Sequence, residues 1–310
     1  MTAKFPHGET NMKHQLIILL ILISGISGAA EITVHDLGFG KEISIEGTIV
    51  NGDFEKFVDA TIESGPSVIG VHLASSGGNA IVAMNIGQFI RNLNFTTNAP
   101  NYFELQYDDV NNVPPSEVSC SNFLREIGNC TCLSSCALIY FSGIQRNGNY
   151  IGIHRTYLEH EYLRSLSMSE ASAYSRAINE RLEEYLDEMG VPNSLLETME
   201  SIPSNEIKLL DKEFINRHLR GNPNDIQEWI SANCGSEIEI DNHTYARLDE
   251  AARMLLTENN IEVFSCKSNL IDTEKNMSFR DALEQAFKIV DSKYIRSGSA
   301  LDRLLTENNN

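Results

Sequence analysis

Short apolar strands alternate with amphipathic helices along the first part of the chain. Ile43, Ile45 and Ile49 are separated by polar or small residues, which is the period of a half-buried strand. Apolar residues at helical spacing follow between residues 54 and 62, and a second apolar run covers residues 67–74. This alternation of strands with helices predicts an α/β fold.

A glycine turn connects the second strand to the next helix. Gly77 and Gly78 end the turn, and apolar positions from Val82 to Leu93 then recur at the spacing of one helix face. Residues 95–131 have no regular pattern and contain several Asn, Asp and Pro pairs. They are predicted to form a long loop with one short helix.

The segment that follows the predicted loop is almost entirely apolar or small. Residues 132–141 therefore predict a buried helix, and residues 150–154 predict the next strand. Ser167 and Glu170 have the spacing of a capping box, which predicts the start of a long helix that ends near Gly190.

The tail of the chain contains two helical patterns. They cover residues 246–256 and 279–290, and a short alternating segment at residues 261–266 separates them. The tail is therefore predicted to be small and mainly α-helical, with a break between its helices.

The N-terminus has the layout of a secretory signal peptide. An apolar run at residues 15–26 follows Lys13 and precedes the small residues 27–30. About a dozen apolar residues fall short of the roughly 20 that span a bilayer. The sequence therefore predicts an exported protein, periplasmic or secreted, and the alternatives are an uncleaved membrane anchor or a buried first helix.

The predicted organisation has three parts. Residues 1–30 form the signal peptide, residues 31–225 the main domain, and residues 226–310 a C-terminal extension to which the sequence assigns no function. The linker-like run Gly221-Asn-Pro-Asn stands just before the last boundary.

The composition is globular and strongly acidic. Of the 310 residues, 42% are hydrophobic, and the formal net charge is -19. Nucleic acids and anionic membrane surfaces are disfavoured as partners, because their binding depends on Lys and Arg that neutralise negative charge.

Six cysteines fit an oxidising compartment, where pairing is expected. Cys234 and Cys266 are expected to pair with each other, because the remaining four cysteines cluster and can satisfy one another locally. Cys132 and Cys136 are predicted to bond to the two upstream members of that cluster and so fasten the long loop. Buried free thiols are one alternative, and a zinc site is another, although the spacings fit no common zinc finger. The upstream members are Cys120 and Cys130.

Hydrolysis of an amide or ester requires a nucleophile, a base and fixed donors for the oxyanion. Ser134 would begin the predicted buried helix, where backbone N–H groups have no helical acceptor. The N–H of Ser135 is therefore a candidate oxyanion donor. The amides of Gly77 and Gly78 are the other candidates, because glycine lets a substrate carbonyl approach the backbone closely.

His154 is the candidate base. It ends the predicted strand after the serine helix, so the two side chains could meet at adjacent strand ends, and a neutral imidazole could take the serine proton. A third member of the site is not marked by any motif, and Glu197, Glu200 and Asn205 remain candidates. A dyad stays open, as does a serine–lysine pair, for which no lysine stands out.

These residues resemble landmarks of the Clp protease catalytic subunit, and more closely those of a group of exported proteins similar to it. The resemblance covers about residues 40–220, and Ser134 stands nine positions before Gly143, as the family nucleophile does before its matching glycine. This spacing selects Ser134 over Ser135. In chain order the landmarks are Ile45-x-Gly-x-Ile-x-x-Gly-Asp53, Ser76-Gly77-Gly78, Cys132-Leu-Ser134-Ser-Cys136-Ala-Leu-Ile, Gly143 and Gly152-Ile-His154-Arg155.

The resemblance implies a right-handed spiral of β-β-α units, a fold shared with crotonases. It also implies an oxyanion hole formed by Gly77, Gly78 and the Ser135 amide, beside Ser134 as nucleophile and His154 as base. No metal or organic cofactor is implied.

The predicted function is an exported serine hydrolase of the peptidase type. Its substrates would be peptides or unfolded protein segments, and no ATPase partner is expected, because exported compartments hold no ATP. The family resemblance also suggests a homo-oligomer. The alternative function is a catalytically inactive scaffold that keeps the cleft to bind a peptide or protein partner.

Overall fold

The structure is a computed structural model that describes residues 29–103, 106–107, 109–120, 130–156 and 166–291. The predicted signal peptide lies almost entirely in residues 1–28, outside the described residues, so it stays a prediction. None of the helices in the described ranges is both long and apolar enough to cross a bilayer.

Strands and helices alternate along the described chain, and the predicted α/β class is confirmed. The strands are β1 (Glu31–Asp36), β2 (Lys41–Glu46), β3 (Val68–Ala74), β4 (Thr96–Asn98), β5 (Asn101–Tyr102), β6 (Val118–Ser119), β7 (Cys132–Leu133), β8 (Arg146–Asn147), β9 (Ile151–Ile153) and β10 (Lys208–Leu209). The helices are α1 (Asp53–Ser64), α2 (Ala80–Asn92), α3 (Ser135–Phe141), α4 (Met168–Glu188), α5 (Asn193–Ser201), α6 (Lys212–Phe214), α7 (Asn224–Cys234), α8 (Asn242–Arg247) and α9 (Glu250–Asp291).

Two sheets position the residues of interest. The larger has the strand order β1-β2-β3-β4-β8, and its pairs are parallel except for β1 with β2. The smaller has the order β10-β9-β7, with β7 and β9 parallel. Ser75, just after β3, bridges to Cys132 of β7, and its carbonyl accepts from the N–H of Leu133 at 3.0 Å. The glycine turn after β3 is thereby held against the end of β7.

The core lies between the larger sheet and its helices. Phe54 and Phe57 of α1 both pack edge-on against Phe89 of α2, with ring centroids 6.2 Å and 6.1 Å apart, respectively. Ile43 and Ile45 of β2 are fully buried on the same side, in agreement with the predicted alternation. This packing fixes α2 relative to the sheet and, through it, the turn that precedes α2.

Residues 95–131 contain more structure than the predicted loop with one short helix. The described part holds β4, β5 and β6 together with short 3-10 turns at Val110–Asn112 and Pro115–Glu117. Thr97 shows why β4 forms: it is fully buried in the larger sheet, and its hydroxyl donates to the carbonyl of Tyr140 at 2.8 Å. Such two- and three-residue strands are too short to produce a period in the sequence.

The C-terminal ends of α3 and α4 converge on two arginines. Arg91 donates from Nε to the carbonyl of Ser142 at 2.8 Å and from Nη2 to the carbonyl of Met189 at 3.2 Å. Arg146 is completely buried and also donates to Met189 O. Burial lowers the pKa of Arg146 to about 10, so its guanidinium stays protonated at neutral pH. The negative ends of two helix dipoles stabilise these two cations.

Helix α4 begins and ends as the sequence predicts. The Ser167 hydroxyl accepts from the N–H of Glu170, and the Glu170 carboxylate accepts from the N–H of Ser167 at 2.8 Å, which completes the capping box. Gly190 follows the helix with φ 64°. Near its C-terminus, Tyr185 donates to the carbonyl of Leu138 at 2.7 Å and so ties α4 to α3.

The tail is dominated by one continuous helix, so the predicted break at residues 261–266 is wrong. Ile261 and Phe264 of that segment are exposed and Val263 is buried, so the alternation continues a helix and does not mark a strand. The C-terminal half of α9 packs on α1 and α2, where Ala286 and Phe287 join the core. The predicted boundary between residues 225 and 226 falls in the first turn of α7, and the division itself stays a prediction.

Candidate active site

Ser134 occupies a sharp bend between β7 and α3. Its backbone angles are φ 56° and ψ -122°, and it is one of two non-glycine residues with positive φ in the described chain. Such a conformation costs an L-residue about 1–3 kcal/mol and persists only where the surroundings enforce it. The Ser134 N–H donates to the carbonyl of Gly152 at 2.8 Å, and the residue is only half-buried. The bend therefore presents a serine hydroxyl near the surface on a firmly held backbone.

Gly77 lies directly against the bend. A Cβ atom at Gly77 would come within 2.6 Å of Ser134 Cβ and 2.9 Å of the carbonyl oxygen of Leu133. Gly77 also has φ 104°, which favours glycine. Only a residue without a side chain allows the turn after β3 to approach Ser134 this closely.

Backbone amides beside Ser134 differ in their hydrogen bonds. The N–H of Gly77 donates to Ser75 Oγ at 3.0 Å. Within the described chain, no hydrogen bond occupies the N–H of Gly78 or of Ser135. The Ser135 hydroxyl donates to the carbonyl of Gly78 at 2.8 Å and so connects the two. Of the three candidate oxyanion donors, Gly78 and Ser135 therefore have free amides, whereas that of Gly77 is engaged.

His154 lies at the end of the strand next to the bend. Strands β7 and β9 pair in parallel, with Cys132 opposite Ile151 and Leu133 opposite Gly152, so their carboxyl ends lie side by side. Ser134 follows β7 directly, and His154 follows β9 directly. The pairing thus brings the two sequence-predicted residues to adjacent strand ends.

The tautomer of His154 follows from its main-chain contact. Nδ1 lies 2.7 Å from the carbonyl oxygen of Arg155, and a carbonyl can only accept. Nδ1 therefore carries the hydrogen in the neutral ring, and Nε2 is then the basic nitrogen of that tautomer. The side chain is buried, so the ring is also held by its packing.

The three candidates for a third site member are all exposed. No hydrogen bond or ion pair within the described residues joins Glu197, Glu200 or Asn205 to His154. Strand β10 pairs antiparallel with β9, with Lys208 opposite Ile153, so the preceding Ile207 comes beside His154. Ile207 is a neighbour that sequence reasoning missed, because no motif surrounds it.

Disulfides connect all six cysteines, but not entirely as predicted. Cys234–Cys266 is confirmed, with Cα atoms 5.6 Å apart. The predicted bonds from Cys132 and Cys136 to the two upstream cysteines are wrong. Cys120 pairs with Cys130, and Cys132 pairs with Cys136. Because no cysteine is left free, the alternatives of buried thiols and a zinc site are also wrong.

The reason for this pairing is the bend at Ser134. The sequence suggested that Cys132 and Cys136 share one helix, but the helix begins only at Ser135 and Cys132 belongs to β7. The reversal between strand and helix brings the two Cα atoms to 5.1 Å, which is within the range for a disulfide. The three disulfides together suit an oxidising, exported location.

A second polar cluster lies on the larger sheet, on the face opposite the core residues Ile43 and Ile45. His72 Nε2 is 2.8 Å from a carboxylate oxygen of Glu42, and His35 Nε2 is 2.8 Å from the hydroxyl of Ser44. Burial, followed by the nearby His72, lowers the pKa of His35, although Glu42 acts in the opposite direction. This cluster cross-links three strands. Among the described residues, no group of His, Cys, Asp or Glu has an arrangement that could hold a metal ion.

Comparison of the chain with family models, with curated proteins and with solved structures finds no match. Inference about function therefore depends on the geometry around Ser134 and His154.

Proposed function

We propose that this chain is an exported serine hydrolase of the peptidase type, with Ser134 as nucleophile and His154 as general base. The observation that carries the proposal is the strained bend at Ser134, between a strand and a helix, beside the strand that leads to His154. A sharp strand-to-helix turn of this kind exposes the nucleophile in other serine hydrolases. The energetic cost of this backbone conformation is explained if the bend serves to expose the Ser134 hydroxyl.

In the proposed reaction, Ser134 Oγ attacks the carbonyl carbon of a peptide bond while its proton moves to His154 Nε2. The oxyanion that forms accepts hydrogen bonds from the free amides of Gly78 and Ser135. His154 then gives the proton to the leaving nitrogen, and water hydrolyses the acyl-enzyme by the reverse sequence. The Arg155 carbonyl fixes the imidazole through Nδ1, the role that a carboxylate has in a full triad.

The strand order supports the proposed fold, and the predicted export limits the proposed substrates. Successive parallel strands separated by helices, from β2 through β4, support a spiral like that of the Clp protease catalytic subunit. The disulfides and the N-terminal sequence suggest export to the periplasm or beyond. Because exported compartments hold no ATP, substrates there cannot be unfolded by an ATP-driven partner. The proposed substrates are therefore short peptides or unfolded segments, which need no ATPase partner.

A fluorophosphonate probe tests this function, because it reacts covalently with an activated serine. The oxidised protein is expected to be labelled at Ser134, and Ser134→Ala is expected to remove the label. Ser135→Ala is the matched control, since it deletes the neighbouring hydroxyl and should slow labelling of Ser134 only about tenfold without removing it. His154→Gln should slow labelling by about 10²–10⁴-fold, the usual contribution of a general base. Label that persists in Ser134→Ala, or its absence from folded wild-type protein, would refute the proposal.

One observation favours a second function, an inactive scaffold that binds a peptide or protein partner. Ile207 comes beside His154, and the carboxylates of Glu197 and Glu200 are exposed. An apolar side chain at this position can pack against a bound peptide but contributes nothing to proton transfer. Folded wild-type protein that resists the probe but binds unfolded peptides, with the same affinity in Ser134→Ala, would favour the scaffold.

A further inference from the structure

The Cys132–Cys136 disulfide connects the two sides of the bend that carries Ser134. Cys132 lies in β7, Cys136 lies in the first turn of α3, and Ser134 is midway between them. Both cysteines are fully buried, and their Cα atoms are 5.1 Å apart. The bond therefore connects the two sides of the bend on the side that faces the core, and Ser134 remains partly accessible.

The loop that this disulfide closes is very short. Cys132 and Cys136 are 4 residues apart in sequence, whereas Cys234 and Cys266 are 32 apart. A disulfide that closes a short loop removes less entropy from the unfolded chain than one that closes a long loop. The main effect of the short bond is therefore local, on the conformations available to the three residues it encloses.

Ser134 is the enclosed residue that needs such restriction. Among the described residues, the other non-glycine residue with positive φ is Asn94, at φ 55°, which follows the end of α2. Asparagine adopts the left-handed region at little cost, and Asn94 has no disulfide beside it. Serine lacks this tolerance, and the ψ of Ser134, -122°, also lies outside the common left-handed well. The bend therefore requires constraint from its surroundings, and the disulfide lies where it can contribute to that constraint.

We propose that the Cys132–Cys136 disulfide is a positioning device that holds Ser134 in its positive-φ conformation and so keeps the Ser134 hydroxyl and the Ser135 amide correctly placed relative to each other. Its catalytic consequence rests on the proposed hydrolase function. Its structural consequence does not, because the backbone at Ser134 can be observed directly.

The test compares three double variants by their rate of fluorophosphonate labelling. Cys132→Ala with Cys136→Ala removes the short bond and should slow labelling at least tenfold. Cys234→Ala with Cys266→Ala removes the long bond and should label at the wild-type rate despite an equal or larger loss of stability. Cys132→Val with Cys136→Ala restores most of the buried volume without the bond and should stay slow. Labelling within twofold of wild type in either variant that lacks the short bond would overturn the proposal.

Hydrogen exchange separates this proposal from the proposed function. The Ser134 amide donates to Gly152 O, so its exchange reports the bend whether or not the serine is reactive. Exchange at Ser134 should rise at least tenfold when the short bond is removed and stay unchanged when the long bond is removed. If the probe does not label folded wild-type protein, the proposed hydrolase function is refuted. The exchange rate of the Ser134 amide then tests the role of the disulfide by itself. An unchanged exchange rate at Ser134 in the double variant Cys132→Ala with Cys136→Ala would contradict the proposed role of the disulfide.

Discussion

The bend at Ser134 and the N-terminal half of α9 are held together in opposite ways. At the bend, backbone packs against backbone: Gly77 touches Ser134, and Gly152 accepts from its N–H. In this half of α9, side chains make the connections to the rest of the chain: Cys266 is bonded to Cys234, and Asn260 donates from Nδ2 to the carbonyl of Ile238 at 3.1 Å. Large side chains such as Met254 and Phe264 are exposed. The contrast indicates that the bend depends on close backbone packing, whereas this part of the helix is attached to the rest of the chain through individual side chains.

The strongest test of this contrast places the same substitution, glycine to alanine at positive φ, at the bend and at the end of α7, the helix that the Cys234–Cys266 disulfide joins to α9. Gly77→Ala adds a methyl group 2.6 Å from Ser134 Cβ, so it should cost about 4 kcal/mol and abolish probe labelling. Gly235, which ends α7 with φ 79°, has nothing within 4 Å of the added methyl. Gly235→Ala should cost only about 1 kcal/mol, for its backbone conformation, and leave labelling intact.

Chemical denaturation gives both free energies of unfolding, and labelling gives the effect on the site. Equal losses of stability in the two alanine variants would contradict this expectation. They would mean that the close contact at Gly77 adds nothing to the energetic cost of the positive-φ backbone conformation.

A second test compares the contribution of an exposed and of a buried side chain of α9 to the free energy of unfolding. Phe287, 8% exposed, belongs to the core, whereas Phe264 is 63% exposed. Phe287→Ala should lower the free energy of unfolding by about 3 kcal/mol, and Phe264→Ala by less than about 0.5 kcal/mol. Thermal melts of the two variants measure this difference. A large effect of Phe264→Ala would show that this side chain contributes packing despite its exposure.

The smallest effect concerns a single hydroxyl in each region. Ser135→Ala removes the hydrogen bond to Gly78 O, so we expect a loss of about 1 kcal/mol and labelling about tenfold slower, because both free amides lose alignment. Thr257 in α9 donates to Arg253 O on the surface. Thr257→Ala should change stability by less than about 0.5 kcal/mol. Labelling that is equally fast in both variants would argue against a role for Ser135 in aligning the amides.

Much of the fold could be predicted because it follows local rules. The alternation at Ile43 and Ile45, the capping box at Ser167 and the end of α4 at Gly190 each depend on residues within one element. The candidate site was predictable for the same reason, since Ser134 precedes a buried apolar run and His154 ends a strand-like one.

The remaining features depend on contacts between distant parts of the chain. Cysteine pairing required the bend at Ser134, and a serine gives no sign that it will adopt positive φ. The single α9 and the short strands of residues 95–131 form where tertiary contacts override a weak local pattern. Ile207 comes beside His154 only through the register of β10, which two paired residues set.

Helix α3 has a further consequence because it is so short. Its seven residues rise by about 10 Å, which is only about two turns, and such a rod does not bend appreciably. One end meets the serine, and at the other Arg91 binds the carbonyl of Ser142. We therefore expect a shift of the Arg91 guanidinium to move Ser134 by a similar amount, so that a cation at the far end of α3 helps to set the position of the Ser134 hydroxyl.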